Sequence, residues 1–398
     1  MLINAHCHVF TFKTFLTGAA EENLKERLKT LHLSQAVADD ALKIVKKILF
    51  GENAYERIKA FAIKHGLADS PILEFLRRGC LPSVSAVTDA LLADTEKSVG
   101  PGEDAIVTPL MMDVITSEDS ESDHKLYDAQ YDQTVLQAVR HPGRVLPFVA
   151  VNPLRGPKAY TRMEEALTSG ACVGVKLYPS LGYTVTDKMM DKVMVACAAY
   201  KAPVTMHCND GGFCGPGYGY TYCSPVSWRD MIKAYDVRFN FAHFGDQTPG
   251  KPGSDTSWRD EIVKLMDDYP ERVYADVSYQ SGPLGAADEK TAYVGWLKNE
   301  LASPRGNNIL FGTDSFMLFL SAFESDYWQF FKYALGPDFR RMAETNPKRF
   351  LGLPAVGEAV TPDTAMARHI DFLKRKKAES GSGFGTGSAP AGWLAGRL

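Results

Sequence analysis

The segment Met1-Leu2-Ile3-Asn4-Ala5-His6-Cys7-His8, residues 1–8, decides how the rest of this chain is read. A short apolar run ends in two histidines two positions apart. Side chains on an extended segment alternate with a period of two, so His6 and His8 point to one side. Two imidazoles on one side can chelate a metal ion. A lone H-x-H would equally suit two core or surface histidines, so its meaning depends on the residues further along the chain.

Four later apolar runs each end in a residue that carries chemistry. Gly174-Val175-Lys176-Leu177-Tyr178-Pro179 presents Lys176, and Pro203-Val204-Thr205-Met206-His207 presents His207. Phe239-Asn240-Phe241-Ala242-His243 presents His243, and Asn308-Ile309-Leu310-Phe311-Gly312-Thr313-Asp314 presents Asp314. Polar residues gathered at the carboxyl ends of parallel strands mark the mouth of a (β/α)8 barrel. Apolar runs at 105–112, 145–151, 172–177, 204–207, 239–243, 273–277 and 309–311, with residues 1–8, make eight strands. Amphipathic stretches such as 187–200, 258–269 and 291–302 lie between them. Strand spacings of about 30 to 40 residues suit βα units with short loops. The expected fold is therefore α/β, a (β/α)8 TIM barrel whose strands are buried on both faces.

Size and composition agree. The chain has 398 residues, 45% hydrophobic and 23% charged, the composition of an ordinary soluble globular protein. One barrel of about 250 residues plus insertions fits that length better than several small domains. With 44 Lys and Arg against 48 Asp and Glu, a formal net charge of −4, there is no electrostatic case for nucleic acid. No apolar run reaches the roughly 18 residues of a membrane span. Cleavage of a leader would remove His6 and His8, so no signal peptide is expected and the location reads as cytoplasmic. Seven cysteines, Cys7, Cys80, Cys172, Cys197, Cys208, Cys214 and Cys223, are odd in number and irregular in spacing, which argues for free thiols. Cys208, Cys214 and Cys223 lack the paired C-x-x-C spacing of a zinc knuckle.

Two stretches fall outside the βα rhythm. Residues 13–100 carry helical periodicity, as in residues 21–28 and 36–45, with few strand signals. They read as a helical insertion after strand one. An insertion leaving that strand emerges at the mouth, so it is expected to cover the barrel and act as a partial lid; a dimer surface is the alternative. At the other end, Lys374-Arg375-Lys376-Lys377 leads into a Gly/Ser-rich stretch and then Gly392-Trp393-Leu394-Ala395-Gly396-Arg397-Leu398. The expected organisation is a barrel domain over 1–370 and a flexible tail over 371–398. The alternative for the tail is a docking peptide that anchors Trp393 and Leu394 on a partner or a neighbouring subunit.

The motif set resembles the amidohydrolase superfamily of metal-dependent TIM-barrel hydrolases, and most closely its amidohydrolase-related (amidohydrolase 2) branch. The resemblance rests on H-x-H after strand one, His after strands five and six, and Asp after strand eight in Gly312-Thr313-Asp314-Ser315. The close, Asn346-Pro347-Lys348-Arg349-Phe350-Leu351-Gly352-Leu353, is also similar to that branch. It covers strand one and about 104–353 and leaves out the insertion and the tail. The segment Lys176-Leu177-Tyr178-Pro179 is similar to the strand-four segment of dihydroorotases, where the lysine is carbamylated and bridges two metals.

The resemblance implies a ligand set of His6, His8, Lys176, His207, His243 and Asp314 around one or two ions, with zinc favoured and manganese or iron as alternatives. Asp314 is the expected general base, and His243 a ligand or an acid–base group beside the water. Lys176 chooses between versions. An ammonium aimed at a dication is electrostatically untenable. Either it reacts with carbon dioxide to give a bridging carbamate, or it stays cationic and binds a substrate anion. Tyr178, Asn209 and Phe316 are the expected substrate residues, with Asp113, Tyr183, Asp210, Asp276 and Ser278 as lesser candidates. The glycine-rich loop 211–220 lacks P-loop spacing and reads as a mobile active-site loop.

The leading expectation is a hydrolase in which metal-activated water attacks an amide, lactam, lactone or ester carbonyl of a small molecule. The alternative is a non-oxidative decarboxylase of an aromatic or unsaturated acid. A non-catalytic, metal-stabilised scaffold is the third reading, against which the intact ligand set argues. A homo-oligomer is expected.

Overall fold

The computed structural model describes residues 1–17, 20–21, 24, 43, 58–60, 63–64, 66, 69–115, 119–212, 218–247 and 257–398. Eight parallel strands follow in order: β1 (Leu2–Cys7), β2 (Ala105–Pro109), β3 (Phe148–Val151), β4 (Gly174–Leu177), β5 (Val204–Met206), β6 (Phe239–Phe241), β7 (Val273–Asp276) and β8 (Ile309–Leu310). They form a pair, β1–β2, and a six-stranded run from β3 to β8. Parallel bridges Val107–Val145 and Leu110–Phe148 join β2 to β3. The Ala5 N–H donates to the Phe311 carbonyl at 2.9 Å, and Cys7 bridges Ser315, joining the β8 segment to β1. The barrel is thereby closed, and no strand edge is left open. Every strand residue is buried, as parallel strands between a packed interior and a ring of helices must be.

The expected apolar barrel interior is not wholly apolar. In register, Lys176 on β4 pairs with Thr205 on β5, and Thr205 with Asn240 on β6. With Asn4, Thr108 and Asp276, all buried, these make a polar layer at the level of the histidines and just beneath them. Each of its members finds a hydrogen-bonding or electrostatic partner inside the barrel, which is what makes polar burial tolerable.

Helices α1 (Pro71–Gly79), α2 (Val84–Val99), α3 (Glu121–Arg140), α4 (Pro157–Ser169), α5 (Met190–Tyr200), α6 (Ser257–Asp268), α7 (Ala287–Ala302) and α8 (Glu324–Leu335) follow the strands. The end of the expected insertion is not an insertion. Helix α2 starts at the Ser83 N-cap, whose hydroxyl accepts from the Ala86 N–H at 3.2 Å. It packs on β2 and against α3 and α8, so it is the outer-ring helix of the first βα unit. Helical periodicity was legible there, but it carries no mark separating a barrel helix from an inserted one. The expected helices at 21–28 and 36–45 lie largely outside the described residues.

The tail also departs from expectation. Helix α9 (Ala365–Ala378) runs across residue 370, and its His369 Nδ1–H donates to the Gly170 carbonyl at 2.8 Å. The chain then folds back on the barrel end opposite the mouth. The N–H groups of Gly385, Gly387 and Ala391 donate to the carbonyls of Val139, Arg140 and Pro142. The Trp393 indole N–H donates to the Gly143 carbonyl at 2.9 Å. Trp393 and Leu394 are buried in one cluster with Ile106, Leu146 and Phe350. Gly381, Gly383 and Gly385 sit at φ 77°, 76° and 69°, values that glycine adopts without strain. The residues that make a flexible linker are the same ones that make tight turns, so composition could not tell the two apart.

Candidate metal centre

β1 carries His6, near its end, and His8 just beyond it. The segment after β8 carries Asp314. His8 donates Nδ1–H to the Leu110 carbonyl at 2.7 Å, which turns a bare Nε2 toward Asp314 Oδ1 at 2.9 Å. His6 has Nδ1 3.0 Å from Asp276 Oδ2, and its buried Nε2 lies 3.3 Å from Asp314 Oδ1 without a hydrogen bond to any partner. His6, His8 and Asp314 offer ligand atoms all within 4.8 Å of one another.

Two more imidazoles complete the cluster. His243 has Nδ1 2.9 Å from the Ser278 carbonyl, and His207 has Nε2 3.2 Å from the Gly211 carbonyl. A carbonyl can only accept, so both those nitrogens carry the proton. The remaining nitrogens, His243 Nε2 and His207 Nδ1, face each other at 3.2 Å. Two bare lone pairs at that separation repel unless a cation lies with them.

Burial keeps three of the four rings neutral. Burial lowers the pKa of His8, drives that of His207 well down, and takes that of His243 to about 4, so these imidazoles are neutral at pH 7. Burial would lower His6 too, but the Asp276 carboxylate more than offsets it and the net shift is upward. Burial would raise Asp314, and the neighbouring His6 and His8 rings reverse this, holding it well below the usual carboxylate range.

Asp276 is part of a second metal-like grouping with His6 and His243, but its oxygens are committed elsewhere. Oδ2 accepts from Asn240 Nδ2 at 2.7 Å and from His6, while Oδ1 accepts from the His243 N–H at 3.0 Å and the Ser278 N–H at 3.1 Å. It holds the His6 ring and the His243 backbone; a carboxylate on an imidazole is an arrangement common around bound metals. The sequence placed Asp276 and Ser278 at the mouth but carried no sign of this orienting role.

Lys176 is 1% exposed. Its Nζ makes no hydrogen bond or ion pair among the described residues and sits 5.9 Å from the centre of the Tyr178 ring. Burial lowers its pKa to about 8. It lines one cavity together with His6, His8, His207, His243 and Asp314. Tyr178 and Asn209 line the same cavity, as expected for substrate residues, and Tyr178 packs on His207 at 4.4 Å between ring centres. Phe316 does not. It is buried in an aromatic cluster, stacked on Phe75 at 4.9 Å and edge-on to Phe10 at 4.8 Å. Strand-end position alone could not show which way that ring turns. Met112, Tyr279 and Met317 line the cavity instead; apolar loop residues carry no sequence signal for such a role. Asp113 is held by Arg155 at 2.9 Å, and Tyr183 O–H accepts from the Tyr178 N–H, so both brace the mouth from behind. Residues 213–217 of the glycine-rich loop lie outside the described residues. Among the described residues, none from the 13–100 region lines the cavity. The six described cysteines are free thiols, and no described helix is long and apolar enough to cross a membrane.

Fold and site define a TIM-barrel protein with a cluster of four histidines and an aspartate at the carboxyl ends of its strands. The chain belongs to the amidohydrolase family, whose sequence model matches residues 103–353. No curated protein matches the sequence. Among solved structures it is similar to the 5-carboxyvanillate decarboxylase of Sphingomonas paucimobilis, at 15% identity over 88% of this chain and 98% of that one, with a TM-score of 0.50. It is also similar to a probable 2-pyrone-4,6-dicarboxylic acid hydrolase of Acinetobacter baumannii, at 13% identity over 66% and 88%, with a TM-score of 0.47. A third is the manganese-complexed 5-carboxyvanillate decarboxylase of Novosphingobium aromaticivorans, at 13% identity over 76% and 93%, with a TM-score of 0.47. At 15% identity the first of these likenesses speaks to the fold alone.

Proposed function

We propose that this protein is a metal-dependent hydrolase that cleaves an ester, lactone, amide or lactam of a small molecule. One observation carries the reading. Buried ring nitrogens of His6, His8, His207 and His243 converge with Asp314 on one cavity, and His6 Nε2 has no hydrogen-bond partner among the described residues. An orphaned buried nitrogen costs roughly 1–3 kcal/mol, and a bound divalent cation removes that cost. The donor set fits such an ion: neutral imidazoles and a carboxylate suit zinc, manganese or iron.

In this reading His6, His8 and Asp314 hold one cation, and His207 and His243 hold a second. Lys176, as the carbamate its amine forms with carbon dioxide on losing a proton, would add an anionic ligand. A bound cation of this kind lowers the pKa of water to about 7. Asp314 takes the proton from the attacking water and hands it to the leaving group. Asp276 fixes the His6 ring. Tyr178 and Asn209 border the substrate.

A second reading is favoured by the lone Nζ of Lys176. If it stays an ammonium, it binds a substrate carboxylate beside a single cation, and the reaction is non-oxidative decarboxylation. The test is a screen of metal-loaded protein against lactones, esters and aromatic acids, following proton release and carbon dioxide separately. Proton release that chelation abolishes is the expected result. Carbon dioxide release without hydrolysis would replace the first reading with the second.

A further inference from the structure

The ligands His6 and His8 belong to β1 and Asp314 to the segment after β8, so the seam between these two stretches sets how far apart the ligands lie. That seam has little regular pairing. β8 is only two residues long. Past it, the Thr313 and Asp314 N–H groups share the His6 carbonyl, at 3.2 and 2.8 Å. Gly312 runs so close to β1 that a Cβ there would fall 2.6 Å from His6 Cβ. Asp314 has φ 60°, a left-handed conformation that a non-glycine residue keeps only when its surroundings impose it.

Buried side chains span this seam. Asn4 lies on β1 two residues before His6, and its Oδ1 accepts from the N–H groups of both His6 and Thr313, at 3.3 and 3.1 Å. Asn4 Nδ2 donates to Thr313 Oγ1 at 2.7 Å. The same Thr313 oxygen accepts from the Ser315 N–H at 3.2 Å, bracing the turn on both sides of Asp314. Glu324 closes the group from behind: its Oε1 accepts from Asn4 Nδ2 at 3.4 Å, Thr313 Oγ1 at 3.5 Å and Trp328 Nε1 at 3.3 Å. An isolated polar group of this size inside a barrel would be costly. Here its acceptor oxygens take N–H groups from the backbone of the two segments that carry His6 and Asp314.

We infer that Asn4 and Thr313, backed by Glu324, form a polar clip across the β1–β8 seam that sets the separation of His6 and His8 from Asp314. They are positioning residues for the metal centre, and the inference rests on the reading of those three side chains as metal ligands. Thr313 is the point to break, because its hydroxyl ties Asn4 to the turn that carries Asp314.

The experiment is Co2+ binding to metal-free protein, read as visible absorption and as affinity in competition with a chelator. Thr313→Val keeps the shape and removes the hydroxyl. It is expected to weaken Co2+ binding by roughly 10- to 100-fold, as outer partners of metal ligands do, and to alter the absorption bands. Thr313→Ser, which keeps the hydroxyl, restores both. Trp393→Ala, destabilised at the far end of the barrel, keeps wild-type Co2+ affinity and bands. If Thr313→Val does not fold, Thr313→Ala removes the same hydroxyl without a methyl in its place and carries the same expectation. Wild-type affinity and bands in the hydroxyl-free variant would overturn the clip, as would an equal loss of affinity in Trp393→Ala. A wild-type protein that binds no Co2+ sinks the metal centre itself, and the clip with it.

Discussion

Replacing Trp393 with alanine tests whether the C-terminal segment is part of the folded barrel. The side chain is fully buried, and its indole N–H is bonded to the Gly143 carbonyl. A buried tryptophan removes about 150–250 Å² from water. At about 25 cal/mol per Å² this is worth about 4–6 kcal/mol against an extended chain. A more compact unfolded state trims that by about 10–40%, which brings it to about 3–5 kcal/mol, the usual cost of Trp→Ala in a core. The lost hydrogen bond adds about 1 kcal/mol. Trp393→Ala should therefore cost about 4–6 kcal/mol, a large share of the 5–15 kcal/mol that holds a typical protein folded. Chemical denaturation followed by far-UV circular dichroism measures it. A loss below about 0.5 kcal/mol, the range of surface substitutions, would mean that the segment is a free tail and that its packing contributes nothing.

Asp314→Asn keeps size and some ligand capacity but removes the basic carboxylate. It should lower kcat by several orders of magnitude with a smaller effect on KM; near-normal kcat would move the base to His243. Lys176→Ala should release one of two bound ions, and acetate or propionate, filling the vacated space with a carboxylate, should restore part of the activity. A variant that keeps its metal and shows only a raised KM would instead make Lys176 a substrate ligand. His369 titrates at about 4 because burial disfavours its charged form, against about 6.5 unfolded. The unfolded chain thus takes up the proton first, so this contribution is complete above about pH 6.5 and is lost as pH falls toward about 4, at most about 3 kcal/mol. His369→Asn should flatten the acid side of the stability profile over that window, and an unchanged profile would refute the assignment.

The barrel was legible because its strands are short, apolar and evenly spaced, and because His207, His243 and Asp314 close their runs. Histidines and an aspartate at successive strand ends were enough to place the mouth. Side-chain direction was not legible: Phe316 stands at a strand end yet turns into the Phe10–Phe75 cluster, while Met112 and Met317 line the cavity without any sequence mark. Helix α2 and the inserted residues before it share one periodicity, which hid where the barrel resumes. Asn4 is one polar residue in an apolar run, and nothing in the sequence links it to Glu324. Their pairing across some 320 residues exists only once β8 returns beside β1. The tail misled for a related reason, since glycine permits both a free linker and the turns that seat Trp393.

The central claim is tested most directly by the number of metal ions bound per chain, measured by elemental analysis of wild-type, His6→Ala and His207→Ala protein after metal loading and desalting. The account predicts about two ions in the wild type, as in two-metal hydrolytic sites, and a loss in each variant while its circular dichroism stays that of the wild type. Full metal content in both variants, or none in the wild type, would contradict it.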